Sequence, residues 1–184
     1  MKKIVLLLAL AASIASVACK KEKSNPNGTG NIPNDLPRTN VPAEVRGSWM
    51  YGKFSMTEYW SQSPNTYIGN ALEFAIAFKF EEDGTYTHYF TSSSYSAGLT
   101  TYQQSVTKGT IEVDQVNKVI KTHPYSAHYK RTRNNQVLEE RDMTQEELSS
   151  ATSYKYTTGK ESNGTSALYL TLNGTSNPLT FLQK

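Results

Sequence analysis

The chain contains one cysteine, Cys19, in 184 residues. No intramolecular disulfide can form, and no thiol nucleophile exists anywhere after position 19. Histidine is also scarce, with three residues. The signatures that organise catalysis or cofactor binding are missing: there is no Gly-x-Ser-x-Gly elbow, no His-Glu-x-x-His, no phosphate loop and no dinucleotide fingerprint. These absences point away from an enzyme and leave no expected cofactor. A strong charge of one sign is lacking too. The balance is 19 Lys+Arg against 16 Asp+Glu, but Lys2, Lys3, Lys20, Lys21, Glu22 and Lys23 crowd the start, and without them it is 14 against 15. A near-neutral body carries no electrostatic footprint for nucleic acid.

Long apolar runs are confined to residues 4–18, an unbroken stretch of Ile, Val, Leu, Ala and Ser behind Met1-Lys2-Lys3. A spanning helix needs about 20 apolar residues, and this run meets Lys20 first. The pattern is that of a signal peptide of residues 1–18, cut before Cys19. It implies an exported protein.

The segment Ser16-Val17-Ala18-Cys19 resembles the lipobox of bacterial lipoproteins, with Ser16 where that motif usually has Leu. The resemblance implies that Cys19 becomes an acylated N-terminus and that the partner it reaches is a membrane. Ordinary secretion with a free thiol is the other reading, since the same residues satisfy the small-x-small rule. Lys20 after the cysteine resembles outer-membrane sorting of lipoproteins. Residues 19–43 then form a tether: from Ser24 to Pro42 the chain is rich in Asn, Pro, Gly and Thr and nearly devoid of bulky apolar side chains. Such a segment buries no core and, as a coil, reaches on the order of 25 Å.

Residues 44–184 read as one all-β domain. Tyr, Thr, Phe, Val and Ile recur in short runs between Gly, Asn and Asp. The clearest hairpin covers residues 72–92. Leu72, Phe74, Ile76, Phe78 and Phe80 alternate with Glu73, Ala75, Ala77 and Lys79, and Glu82-Asp83-Gly84 supplies the turn. The bulky face predicts core. The small Ala75 and Ala77 predict a second layer close against the other face, for which residues around Tyr59 and Trp60 are available. Further strands are expected over residues 46–54, 101–108, 109–113, 119–123, 127–133, 137–141, 154–158, 167–172 and 179–182. Thr144-Gln145-Glu146-Glu147 reads as a capping box opening a helix of about two turns. Many antiparallel strands with tight turns favour a closed barrel or a sandwich.

Three motifs narrow that choice: Gly47-Ser48-Trp49, the hairpin from Phe78 to Tyr86, and Gly109-Thr110-Ile111-Glu112-Val113. Together they resemble the lipocalin-like domains of bacterial lipoproteins. The resemblance implies an up-and-down antiparallel β-barrel in which Gly47 and Trp49 serve structure, the tryptophan closing one end, while the other end opens on an apolar cavity for a small hydrophobic ligand.

Candidate binding residues come from the 127–141 hairpin, with Asn134-Asn135 as its two-residue turn. That turn sets Lys130 opposite Glu139, Arg131 opposite Leu138 and Thr132 opposite Val137. Tyr129, Arg131 and Arg133 share a face. They either line a cavity mouth, where guanidinium groups grip an anionic headgroup, or lie on a solvated hairpin laced by ion pairs. His123 and His128, with His88, are either metal ligands or ordinary polar histidines; Pro124 is expected to divide the first two between elements. Tyr51, Tyr59, Trp60 and Tyr67 either form a stacking patch or cover strand faces.

Acylation of Cys19 has a direct check. Cells fed labelled palmitate should label the protein, and Cys19→Ala should abolish the signal; label retained in the variant contradicts acylation.

Overall fold

The computed structural model describes Pro33 and residues 35–61, 72–148 and 150–184, the side chains of Leu72 and Glu73 excepted. Residues 1–18, Cys19, Tyr67 and the start of the tether lie outside these. Nine strands follow in order: β1 Gly47–Tyr51, β2 Leu72–Phe80, β3 Thr85–Ser96, β4 Leu99–Asp114, β5 Val119–Arg133, β6 Gln136–Asp142, β7 Thr152–Lys160, β8 Ser166–Leu172 and β9 Leu179–Gln183. All pairings are antiparallel. Hydrogen bonding runs β4-β3-β2-β1-β9-β8-β7-β5-β6, and an additional β4 to β5 pairing joins the ends, so the sheet closes in a ring. Closure leaves no row of unpaired backbone groups around most of the sheet.

Alternation along the strands sorts side chains into the ring or out of it. Inside lie Trp49, Phe78, Phe80, Tyr86, Ile111, Ile120, Tyr156, Leu168, Leu170 and Phe181. Burying a side chain of this size contributes roughly 1.5–3 kcal/mol, so this cluster supplies much of the drive to fold. Gly47 opens β1 opposite Phe80, and Trp49 is 3 % exposed, its indole N–H donating to the Val45 carbonyl at 2.6 Å.

A second apolar layer lies outside the ring. Met50, Phe54, Tyr59, Ala75 and Ala77 form one buried cluster, with Met56, Trp60, Tyr89 and Val106 packed against it. The small alanines of β2 make room for residues 54–60, which lie flat on the sheet. Tyr59 is anchored by its hydroxyl, which contacts the Phe90 and Ser105 carbonyls and accepts the Ser105 N–H.

Packing against the domain reaches into the segment that composition assigns to the tether. Within residues 37–42, assigned to the tether, Thr39 N–H donates to the Ile111 carbonyl (3.0 Å) and Val41 N–H to the Glu82 carbonyl (3.1 Å). Thr110 Oγ1 donates to the Pro37 carbonyl (2.8 Å). Val41 and Val45 join the interior core and plug the end that Trp49 occupies. Polar composition hid this because the segment contributes mainly backbone bonds and one apolar anchor. Gly84, at φ +81°, has the Thr39 carbonyl only 2.5 Å from where a Cβ would stand; the β2–β3 turn and the arriving chain therefore fit only around glycine.

Other expectations need correction. The two-turn helix does not form, and the described residues contain no helix. Glu147 does accept the Thr144 N–H (2.8 Å) as a capping box requires, and Glu147 and Leu148 N–H groups return to the Thr144 carbonyl (3.1 and 3.2 Å). One turn is all the connection accommodates before the chain re-enters the sheet at Thr152. Residues 101–108 and 109–113 are one strand, β4, and 119–123 and 127–133 are one strand, β5, passing straight through Pro124. The Asn134-Asn135 turn forms, both residues at positive φ (45° and 65°), and Thr132 faces Val137. A bulge then sets Arg131 opposite Glu139 and Lys130 opposite Glu140, one residue away from the simple register.

The pairing of β4 with β5 shifts at Lys108 and Gly109: Lys108 faces Ser126 while Gly109 faces Pro124, which makes Tyr125 the extra residue. A Cβ on Gly109 would lie 2.3 Å from a ring carbon of Tyr86 and 2.4 Å from the His123 carbonyl. Neither neighbour can retreat, since Tyr86 is core and the carbonyl belongs to the bulge. Gly109→Ala should therefore cost about 3 kcal/mol, at the upper end for overpacking. Urea unfolding of variant and wild type measures it; a loss under 0.5 kcal/mol, the scale of a neutral surface change, would contradict the close approach.

Candidate functional site

Strand β5 serves different neighbours along its length. Residues 119–122 pair with β7 and residues 128–133 with β6. Between these two pairings the connection from β6 to β7 takes the place of a strand, its Met143 N–H donating to the Ala127 carbonyl (2.8 Å). A cavity of about 240 Å³ opens behind this connection. Its walls are mixed: apolar from Phe78, Tyr86, Phe90 and Tyr154 with Pro124, Ala127, Met143 and Leu148, and polar from His88, Ser105, Thr107, Thr122, Thr152 and Glu147. The wall residues Phe78 and Tyr86 also belong to the interior core cluster with Trp49, Phe80 and Phe181, so the cavity borders the packed core directly.

His88 is the unusual member. It lies between Tyr86 and Phe90 on the inward face of β3, directly opposite Thr107 of β4, and its ring stacks on Phe78 at 4.6 Å between centroids. Its side chain has no hydrogen-bond partner among the described residues. Burial pushes the imidazole down to about 4, so the ring is neutral at physiological pH. The ring is half-buried and lines the cavity. Burial likewise raises the Tyr86 and Tyr154 phenols. Thr122 is already engaged, its hydroxyl donating to the Thr152 carbonyl (3.3 Å).

The rim carries a chain of charges. Arg141 makes a bidentate pair with Glu147 (2.7 Å for each bond) and donates through Nε to Glu139 (2.9 Å). Arg131 reaches the other Glu139 oxygen at 3.2 Å. The Arg141 guanidinium holds the Glu147 carboxyl down to about 2. Tyr129, Arg131 and Arg133 continue the face of β5 that bears Ala127, but none of the three lines the cavity. Arg131 is committed to Glu139, and Arg133, opposite Gln136, is exposed.

The remaining candidates separate. His123 Nε2 meets Glu112 at 2.7 Å. His128 Nδ1 meets Asp142 at 2.7 Å, with Trp60 edge-on at 5.0 Å. His123 and His128 stand on one strand, not on two elements divided at Pro124, and the extra residue at Tyr125 brings them to the same outer face, yet each keeps its own carboxylate and His88 lies inside. Among the described residues no three ligand-type side chains gather to hold a metal. Tyr59 is core, and Tyr51 stacks on Phe74 at 5.4 Å; with Trp60 on His128, these aromatics do not form one platform. The signal for His88 was present in the alternation Tyr86, His88, Phe90, a polar group inside an apolar stripe.

Neutral burial of His88 carries a pH dependence. Unfolded, it takes up a proton near pH 6.5, whereas folded it resists until about 4. Its contribution is fully present above pH 6.5 and is lost as pH falls through that window, a change of about 3 kcal/mol. In His88→Phe the decline in unfolding free energy between pH 6.5 and 4 should be smaller by this amount, as measured by urea titration at both pH values; parallel losses would contradict neutral burial. In comparisons with known proteins, no protein-family model and no curated protein matches this chain.

Proposed function

We propose that the protein is an exported lipoprotein, held to a membrane, the outer membrane by its Lys20, through lipid on Cys19, whose lipocalin-like barrel binds a small, largely apolar molecule. The observation that carries this reading is the cavity of about 240 Å³ behind the β6–β7 connection, walled by aromatic and aliphatic groups with polar groups among them. Sites for small molecules are concave and mainly apolar with a few placed polar groups, and a sheet that closes in a ring around a core with a cavity beside it suits such a barrel. The size fits a ligand of about ten non-hydrogen atoms, by scaling from a benzene in a cavity of ~150 Å³.

A second reading, an interaction module contacting an envelope protein or glycan, draws on one observation. Tyr95 and Leu99 at the β3–β4 turn and Val137 and Leu138 beyond the β5–β6 turn are all exposed, and the two turns touch through Asn134 N–H to the Thr100 carbonyl (2.9 Å). Apolar groups gathered at one tip suit a contact surface. The reading expects no ligand cavity, so the cavity favours the first.

Protein purified from its native envelope should carry a small-molecule adduct in native mass spectrometry. Ala127→Phe, which adds a ring where Ala127 lines the cavity, should remove the adduct while leaving the protein folded by circular dichroism. Absence of any adduct from wild type, together with no binding of added apolar probes, would overturn the cavity reading; crosslinking through Tyr95 or Leu138 to one partner would then support the second.

A further inference from the structure

We infer that His88 is the polar anchor of the cavity and that its ligands are neutral amphiphiles of about ten non-hydrogen atoms bearing one hydroxyl-type group; this rests on the cavity reading above. The polar groups that touch the cavity fall into two kinds. Glu147 is saturated by Arg141 and the Thr144 N–H, and Thr122 already donates to Thr152. Thr152 donates to the Ser150 carbonyl (3.4 Å), whereas His88 and, on β4, Thr107 and Ser105 show no side-chain hydrogen bond to a described residue and line the cavity, His88 being the one among them that carries a ring and two nitrogens.

A polar group on a cavity wall that has no protein partner in reach can gain free energy from a ligand that supplies the bond. A neutral imidazole offers one donor and one acceptor nitrogen. A hydroxyl, which both donates and accepts, satisfies either tautomer. A carboxylate only accepts; it would also surrender its hydration inside apolar walls without a cation beside His88, and it would meet the Glu147 charge at the rim. The arginines that would favour an anion are outside the cavity and engaged with Glu139 and Glu147. A wholly apolar ligand fits the walls but leaves His88 unsatisfied.

Three probes of matched size separate these cases: 4-propylphenol, n-butylbenzene and 4-ethylbenzoate, titrated into the full chain at pH 7.5 by NMR. The phenol should bind about tenfold more tightly than butylbenzene, the scale of one well-made hydrogen bond, and the benzoate most weakly. In His88→Phe, which keeps an aromatic ring against Phe78, the preference for the phenol should disappear. A second readout needs no variant: the His88 ring nitrogens should shift on adding the phenol and not on adding butylbenzene. An unchanged preference in His88→Phe, equal nitrogen shifts with both probes, or benzoate binding at least as tightly as the phenol each overturns the assignment of His88. Binding of none of the three overturns the cavity reading itself.

Discussion

The structure depends on one strand having two different partners. β5 is bonded to β4 along its whole length but to β7 only at its start and to β6 only at its end. Such a division leaves a stretch in which one side of the strand lacks a ladder, and that stretch contains Pro124, which has no N–H to offer one. The extra residue at Tyr125 and the bare Cα of Gly109 absorb the change of phase, so that Thr122 and Ala127, five positions apart, both line the interior. Without the bulge the cavity-lining face of β5 would turn outward beyond Pro124. The cavity is the space that this unladdered stretch leaves, and the β6–β7 connection is its cover.

Two layers hold that arrangement in place from opposite sides. Inside, aromatic and aliphatic side chains fill the ring at the Trp49 end, with Val41 and Val45 as a plug. Outside, residues 54–60 press on Ala75 and Ala77, and the Tyr59 hydroxyl sits between β3 and β4 at the Phe90–Ser105 pair. Gln104 Nε2 donates to the Tyr59 carbonyl from the same outer face. Phe90 and Ser105 also line the cavity, so the outer layer fixes the wall from behind. Rigid walls matter for a small site, because a pocket that can collapse gives back the free energy a ligand would recover.

What could be read from the sequence was what repeats at short range. The alternation in residues 75–80 set the inside and outside of β2 and called for a second layer over the alanines, while Phe74, expected in the core, is 44 % exposed; Asp83-Gly84 and Asn134-Asn135 marked turns through backbone conformations that few residues tolerate. What could not be read depends on distant partners. Pro124 looks like a strand boundary until Gly109 and the gap between β6 and β7 are known. The bulge at Leu138 changes which carboxylate each cation meets, and it has no local signature. The Thr144 capping box is chemically satisfied, but the demand that β7 begin at Thr152 outweighs its helix. His88 was visible as a polar residue in an apolar stripe, yet only the fold shows that its ring has no hydrogen-bond partner among the described residues.

The rim and the cavity divide the work of electrostatics between them. Arg131, Glu139, Arg141 and Glu147 alternate in sign along one chain of contacts, so each charge is opposed by its neighbour before any ligand arrives. That network ties β5, β6 and the connection covering the cavity into one unit, since Glu147 belongs to the connection and Arg141 to β6. An anion approaching from this side would have to displace a carboxylate already held by bidentate geometry, which is the stronger form of such a pair. A neutral group faces no such competition. The same charges that suggest an anion site in the linear sequence are, once folded, spent on one another, and on the proposed reading recognition falls to the uncharged groups behind them.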